Sequence, residues 1–181
     1  PQPPPAISCA SCGIERYCSE ECSQKAWQLY HRVQCEHAAG LKAIRDRQLT
    51  GRTTTALYPV VVARLAGMTM CSDSWPCHTL SLPQMQFLSP PGERISLLAS
   101  QLLESYNLLD QVLNLSSDPR FDLEWFEAVF TVVTNNAMTV CRDGNYDIRV
   151  DGAKLGAGIY PTASFFNHSC EPNATWSAGQ Y

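Results

Sequence analysis

The sequence predicts an α+β protein: a small metal-held module, then a helical block, then the opening part of a β-rich region. Three observations predict it. Six cysteine and histidine residues fall in short-spaced pairs between Cys9 and Cys35. Apolar residues then recur at three- and four-residue steps, the period of a helix with one buried face. After Asn136, short apolar stretches are broken by Asp143-Gly144 and Asp151-Gly152, which are hairpin-turn signals.

The 181 residues suffice for one large domain or two small ones. The formal net charge is −4 and lysines and arginines are not clustered, which argues against direct nucleic-acid binding as the main activity. No apolar run is long enough for a membrane span, so no membrane partner is expected. Pro1 to Ala6 is too short and too proline-rich for a secretory signal. Three Asn-x-Ser/Thr sequons begin at Asn114, Asn167 and Asn173 and are read as accidental. Five of the nine cysteines fall with His31 at short spacings, which reads better as zinc ligation in a reducing compartment than as disulfides, and the expected location is the cytoplasm or nucleus.

The ligand pairs are Cys9-x2-Cys12, Cys18-x3-Cys22 and His31-x3-Cys35. Zinc takes four such ligands in a tetrahedron, and both a CxxC turn and an i, i+4 pair on a helix let two ligands converge on one ion. Six ligands make one and a half sites. By residues alone, one zinc on Cys9, Cys12, Cys18 and Cys22 stays open. A closed four-ligand site is structural, with no position left for a substrate.

Trp27, His31 and Cys35 share a face at i, i+4, i+8, and that helix is expected to continue through Leu41 and Ile44 to a stop at Thr50-Gly51. Leu57 to Leu65 is apolar enough for a buried helix. Gly67 to Pro91, with Pro76, Pro83, Pro90 and Pro91, reads as loop. Ile95, Leu98, Leu102, Tyr106 and Leu109 mark an amphipathic helix. Phe121, Trp125, Val129 and Val133 mark another, with Ser116-Ser117-Asp118-Pro119 as its turn and start signal. Met138, Val140, Ile148, Val150 and Ile159 fall in the strand-like stretches. His78 with Cys71 and Cys77 lacks a fourth ligand, so a second metal there is disfavoured.

The most specific signal closes the chain: Gly156-Ala157-Gly158-Ile159-Tyr160-Pro161, followed by Ser164-Phe165-Phe166-Asn167-His168-Ser169-Cys170-Glu171-Pro172-Asn173. This resembles the cofactor-binding core of SET-domain protein lysine methyltransferases. Tyr17-Cys18-Ser19-x-x-Cys22, Trp27 and His31-x-x-x-Cys35 look like the second half of a MYND zinc finger. Finger before core is the order of the SET and MYND domain family.

The resemblance implies three parts: a MYND finger over residues 1–36 that begins partway through the finger, a helical SET insert over 37–135, and a SET core over 136–181 that stops before the catalytic end. It implies interleaved zincs, with Cys9, Cys12, His31 and Cys35 on one ion and Cys18 and Cys22 on another. The Trp27-to-His31 gap is one residue longer than the family's common form. MYND fingers elsewhere dock proline-rich peptides, and Tyr17, Tyr30 and Trp27 could do so here or could pack on the finger's own core.

For the core, the resemblance implies S-adenosylmethionine as cofactor and a protein lysine, a histone tail among the candidates, as substrate. A mildly acidic surface would suit such a basic partner. Methyl transfer is an in-line displacement requiring alignment and a neutral amine, which a narrow apolar channel favours. Asn167 and His168 rank first as cofactor-binding residues, and Asn136 second. Gly156 and Gly158 shape the pocket through close backbone approach. Asn136 also has a simpler reading, as the end of the preceding helix. No catalytic residue is expected within this chain, because the family's tyrosine lies some thirty residues past the Asn-His pair and Tyr181 is too near. The fragment is therefore expected to be inactive alone. The alternative from another class is a zinc-dependent protein-interaction module with a degenerate SET remnant.

Overall fold

The computed structural model describes residues 6–49, 58–71, 99–141 and 154–159, and these are mostly helical with few strands. Strands β1 (Ile7–Ser8) and β2 (Arg16–Tyr17) pair antiparallel, with Ile7 opposite Tyr17. Gly13 closes the turn between them at φ +65°, a conformation glycine adopts without steric cost, and its N–H donates to the Cys9 carbonyl at 2.8 Å.

Helix α1 (Glu20–Ala26) starts at Ser19, whose hydroxyl accepts from the Cys22 N–H at 3.1 Å. Glu20 and Glu21 in the first turn and Lys25 in the last match the helix dipole. The chain continues without a break through a π-helical turn, Trp27–His31, into α2 (Arg32–Gln34).

The helix then stops, which corrects the expectation of one helix running on past Cys35. Cys35 to His37 form a turn, and α3 (Ala38–Leu49) is a separate element. The reason is tertiary. Cys35 is drawn to Cys9, and α3 then turns to bury Ala38 and Ile44.

Helix α4 (Tyr58–Cys71) is longer than expected and runs through Gly67. Gly67 is a close-approach residue rather than a breaker: a Cβ there would lie 2.6 Å from Gln34 Nε2. Helix α5 (Ala99–Leu113) ends at Asn114, the one non-glycine residue at positive φ among those described (52°), which asparagine tolerates better than most.

The expected start of the next helix at Ser116 to Pro119 is instead two 3₁₀ turns, Leu115–Ser117 and Pro119–Phe121, the second capped by Asp118. Helix α6 (Leu123–Asn136) is capped by Asp122, whose side chain accepts from the Trp125 N–H at 2.8 Å.

The core lies between α3, α4, α5 and α6. Val62, Ala66, Leu109, Leu115, Phe121, Phe126, Val129 and Val133 are sealed from solvent. Phe126 stacks on Phe130 and meets Tyr106 edge-on, and Tyr106 Oη donates to the Phe121 carbonyl at 3.2 Å.

β3 (Ala137–Cys141) follows α6 directly and pairs antiparallel with β4 (Lys154–Ile159), Met138 opposite Gly158 and Val140 opposite Gly156. This hairpin is the part of the anticipated β-rich region within the described residues. The Asp-Gly turns at 143–144 and 151–152, Ile148 and Val150 fall outside them. So do the Gly51 stop, Leu57, Ile95, Leu98 and the loop residues from 72 to 91. No described helix is long and apolar enough to cross a membrane.

Candidate metal centre

Four of the six anticipated ligands come together. The ligand atoms of Cys9, Cys12, His31 and Cys35 all lie within 4.8 Å of one another. Cys9 Sγ is 3.9 Å from Cys35 Sγ and 3.3 Å from His31 Nε2, and Cys12 Sγ is 3.6 Å from the same nitrogen. A tetrahedral zinc with ordinary bond lengths places two sulfurs about 3.8 Å apart and sulfur and nitrogen about 3.6 Å apart. The residues fit the ion.

Local structure explains the convergence. Cys9 follows β1, and its N–H donates to the Glu15 carbonyl at 2.9 Å, while the Gly13 turn folds Cys12 back beside it. His31 and Cys35 lie four residues apart on a helical stretch, one turn above the other. His31 is buried with Nε2 toward the sulfurs, and its Nδ1 has no partner among the described residues. Ligation through Nε2 would use the neutral imidazole with its proton on Nδ1.

The thiols respond to their surroundings in opposite ways. The Cys12 backbone N–H holds the Cys9 thiol down at about 6 against the effect of burial, with the His31 side chain adding to the lowering. Burial pushes Cys35 up to about 11, with Cys9 adding to it. Sulfurs packed this closely cannot all ionise without a cation to share, and zinc binding is supported by this Cys/His cluster.

Cys18 and Cys22 are not in the four-atom group. They are exposed and face each other at 3.2 Å. The Ser19 hydroxyl lowers the Cys22 thiol, while Cys22 raises that of Cys18.

The π turn accounts for the longer Trp27-to-His31 gap. One extra residue in a helix is absorbed when a turn closes i to i+5, and here the Arg32 N–H bonds the Trp27 carbonyl. Deleting Leu29 is therefore expected to restore a regular helix and leave metal binding intact. Deleting Val33, between His31 and Cys35, should weaken binding at least about tenfold. Cobalt(II) absorption of the two variants checks this; equal damage from both would contradict it.

Two of the three finger aromatics are used internally. Tyr17 meets His31 edge-on, with its hydroxyl buried and raised by that burial, and Tyr30 lies under the Arg64 guanidinium at 3.9 Å. Trp27 also meets His31 edge-on but stays 43% exposed, and Leu29 and Ile7 are the finger's other exposed large apolar residues.

Asn136 is buried at the end of α6, and its Nδ2 donates to the Val132 carbonyl at 2.9 Å. It stands one residue before β3, whose first residues oppose Ile159 and Gly158. Gly158 and Gly156 pair with Met138 and Val140, two and four residues beyond Asn136. Asn167 and His168 lie outside the described residues, as do Cys170, Tyr181, Cys77 and His78. Cys71 bonds Arg32.

The MYND finger family model matches residues 2–35. Over 169 residues the chain is 28% identical to a SET and MYND domain-containing protein of Dictyostelium discoideum, covering 92% of this chain and 49% of that one. It is 30% identical over 181 residues to histone-lysine N-methyltransferase SMYD3 of Mus musculus, covering 93% and 36%. It is 26% identical over 168 residues to histone-lysine N-methyltransferase ASHR1 of Arabidopsis thaliana, covering 92% and 32%. Together these findings support a SET and MYND domain protein. The chain spans about a third to a half of the length of those relatives.

Sequence reasoning missed three residues that tie the ligand-bearing elements to α4: Glu15, Gln34 and Arg64. A signal existed. Tyr30 and Gln34 repeat the His31 and Cys35 spacing one residue earlier, which marks a second helix face beside the ligand face.

Proposed function

We infer that this chain serves an S-adenosylmethionine-dependent protein-lysine N-methyltransferase acting on histone or non-histone proteins. The single observation that carries this reading is the hairpin in which β3, directly after Asn136, pairs with the strand that holds Gly156 and Gly158. The named relatives, two of them histone-lysine methyltransferases, point the same way. Residues 1–36 are assigned as the finger, 37–135 as the helical insert and 136–181 as part of the SET core.

Cys9, Cys12, His31 and Cys35 hold one zinc, and Cys18 and Cys22 contribute to another. Bound S-adenosylmethionine would supply a methyl group activated on a sulfonium. Asn136, Asn167 and His168 bind and orient it with amide and imidazole groups, and Gly156 and Gly158 allow close backbone approach. The part assigned to this chain is cofactor contact. Cytoplasm or nucleus is the assigned location.

Calorimetric titration of the natural full-length protein with S-adenosylmethionine tests this. Asn167→Ala or His168→Ala should weaken binding at least about tenfold, the loss of one charge-assisted hydrogen bond. Asn136→Ala should weaken it less, because part of its amide is engaged within α6. A folded full-length protein that does not bind the cofactor would sink the reading.

One observation favours a second reading, a zinc-dependent interaction module. Trp27, Leu29 and Ile7 expose apolar surface on the finger. That reading expects proline-rich peptide binding that disappears with a chelator, and no cofactor binding.

A further inference from the structure

The metal-bearing helical stretch has two working faces. His31 and Cys35 face the ligand cluster. Tyr30 and Gln34, each one residue earlier and so about 100° round the helix, face α4. Gln34 is 2% exposed, although its side chain carries a donor and an acceptor. Both polar atoms of its amide are engaged: Nε2 donates to the Ala63 carbonyl, and Oε1 accepts from Arg64 Nη1 at 3.3 Å.

Gly67, one turn after Ala63, leaves the space that Gln34 fills. One turn further, the Cys71 carbonyl accepts from Arg32 Nη2 at 2.7 Å. Ala63, Gly67 and Cys71 form an i, i+4, i+8 row on α4, so the metal helix is held along that row at three successive turns. Arg64 completes the clamp. It stacks on Tyr30 and pairs with Glu15 at 3.2 Å, within the loop that carries Cys9 and Cys12.

We propose that Gln34 is a positioning residue of the metal centre: by locking its helix onto α4 it fixes the rotation that aims His31 and Cys35, and so links metal affinity to the stability of α4. A helix rotated about its axis carries both ligands off target together, because both sit on one face. The link is reciprocal, since two equilibria coupled by one free energy shift each other by the same factor. Metal binding at the finger therefore rigidifies α4, against which α6 packs. The proposal rests on the reading of Cys9, Cys12, His31 and Cys35 as zinc ligands.

The test uses the full chain with zinc and cobalt(II) as probes. Gln34→Leu keeps the bulk and removes both hydrogen bonds, and should weaken metal binding about tenfold in competition with a chelator. Hydrogen exchange read by mass spectrometry supplies a second measurement. In the parent chain, metal should slow exchange in residues 58–71 as well as in 9–35; in Gln34→Leu the slowing in 58–71 should shrink while that in 9–35 persists. Unchanged metal affinity in Gln34→Leu would overturn the proposal. So would exchange in 58–71 that ignores metal in the parent chain, a result obtained even if the variant does not fold. A parent chain with no tetrahedral cobalt spectrum would instead overturn the metal reading itself, and this proposal with it.

Discussion

Replacing His31 by alanine is expected to abolish tight zinc binding and to unfold the amino-terminal module. Within residues 6–35 the buried apolar residues are Cys9 and Ala26, and neither is sealed completely. A module with so little core cannot fold on hydrophobic burial alone. A structural zinc contributes on the order of 10 kcal/mol to folding in such modules. His31 is central: its nitrogen lies within 3.6 Å of both Cys9 and Cys12 sulfurs, and its ring meets Tyr17 and Trp27. Affinity should fall by at least about a hundredfold, more than the loss of a residue that merely supports a ligand. Chelation of the parent chain should reproduce the loss of helical circular dichroism. Acidification should weaken binding, because the thiols and imidazole must shed protons to ligate. A His31→Ala chain that keeps the parent's metal content through dialysis against a chelator would contradict the assignment.

Phe126→Ala should be the most damaging change in the helical block, costing about 3–5 kcal/mol. Phe126 has no exposed surface, stacks on Phe130 at 5.8 Å and meets Tyr106 at 5.3 Å. Its removal leaves a cavity among side chains of α4, α5 and α6 that are held by their own helices and cannot collapse into it. Urea unfolding followed by circular dichroism gives the number. A loss below about 1 kcal/mol, the level of an ordinary surface change, would mean that Phe126 is not in the core. The exposed Leu123 offers a control on the same helix, since Leu123→Ala removes little buried area.

Much of the helical block was legible as periodicity. Leu102, Tyr106 and Leu109 do line the inner face of α5, and Val129 and Val133 that of α6. Boundaries were less legible. Asp122 outcompetes the Ser116–Pro119 signal because its carboxylate reaches the Trp125 N–H, a choice decided by local hydrogen bonding. Gly67 read as punctuation because a sequence does not show what a glycine faces. It faces Gln34, thirty-three positions away.

The sequence by itself determined which residues could hold metal and, through the spacing of His31 and Cys35, that those two share a helix face. It also determined the apolar stripes, because helical period is a property of the local chain. Residue spacing left open whether Cys9 and Cys12 join His31 and Cys35 or Cys18 and Cys22. The family resemblance implied the former, and the tertiary structure brings those four together, since ligand choice depends on where a distant helix lies. The tertiary structure alone decided that the helix breaks after Gln34 and that a π turn takes up a residue before His31. Both follow from one requirement: the ligand face must meet the Cys9–Cys12 turn while the neighbouring face of the same helix lies against α4.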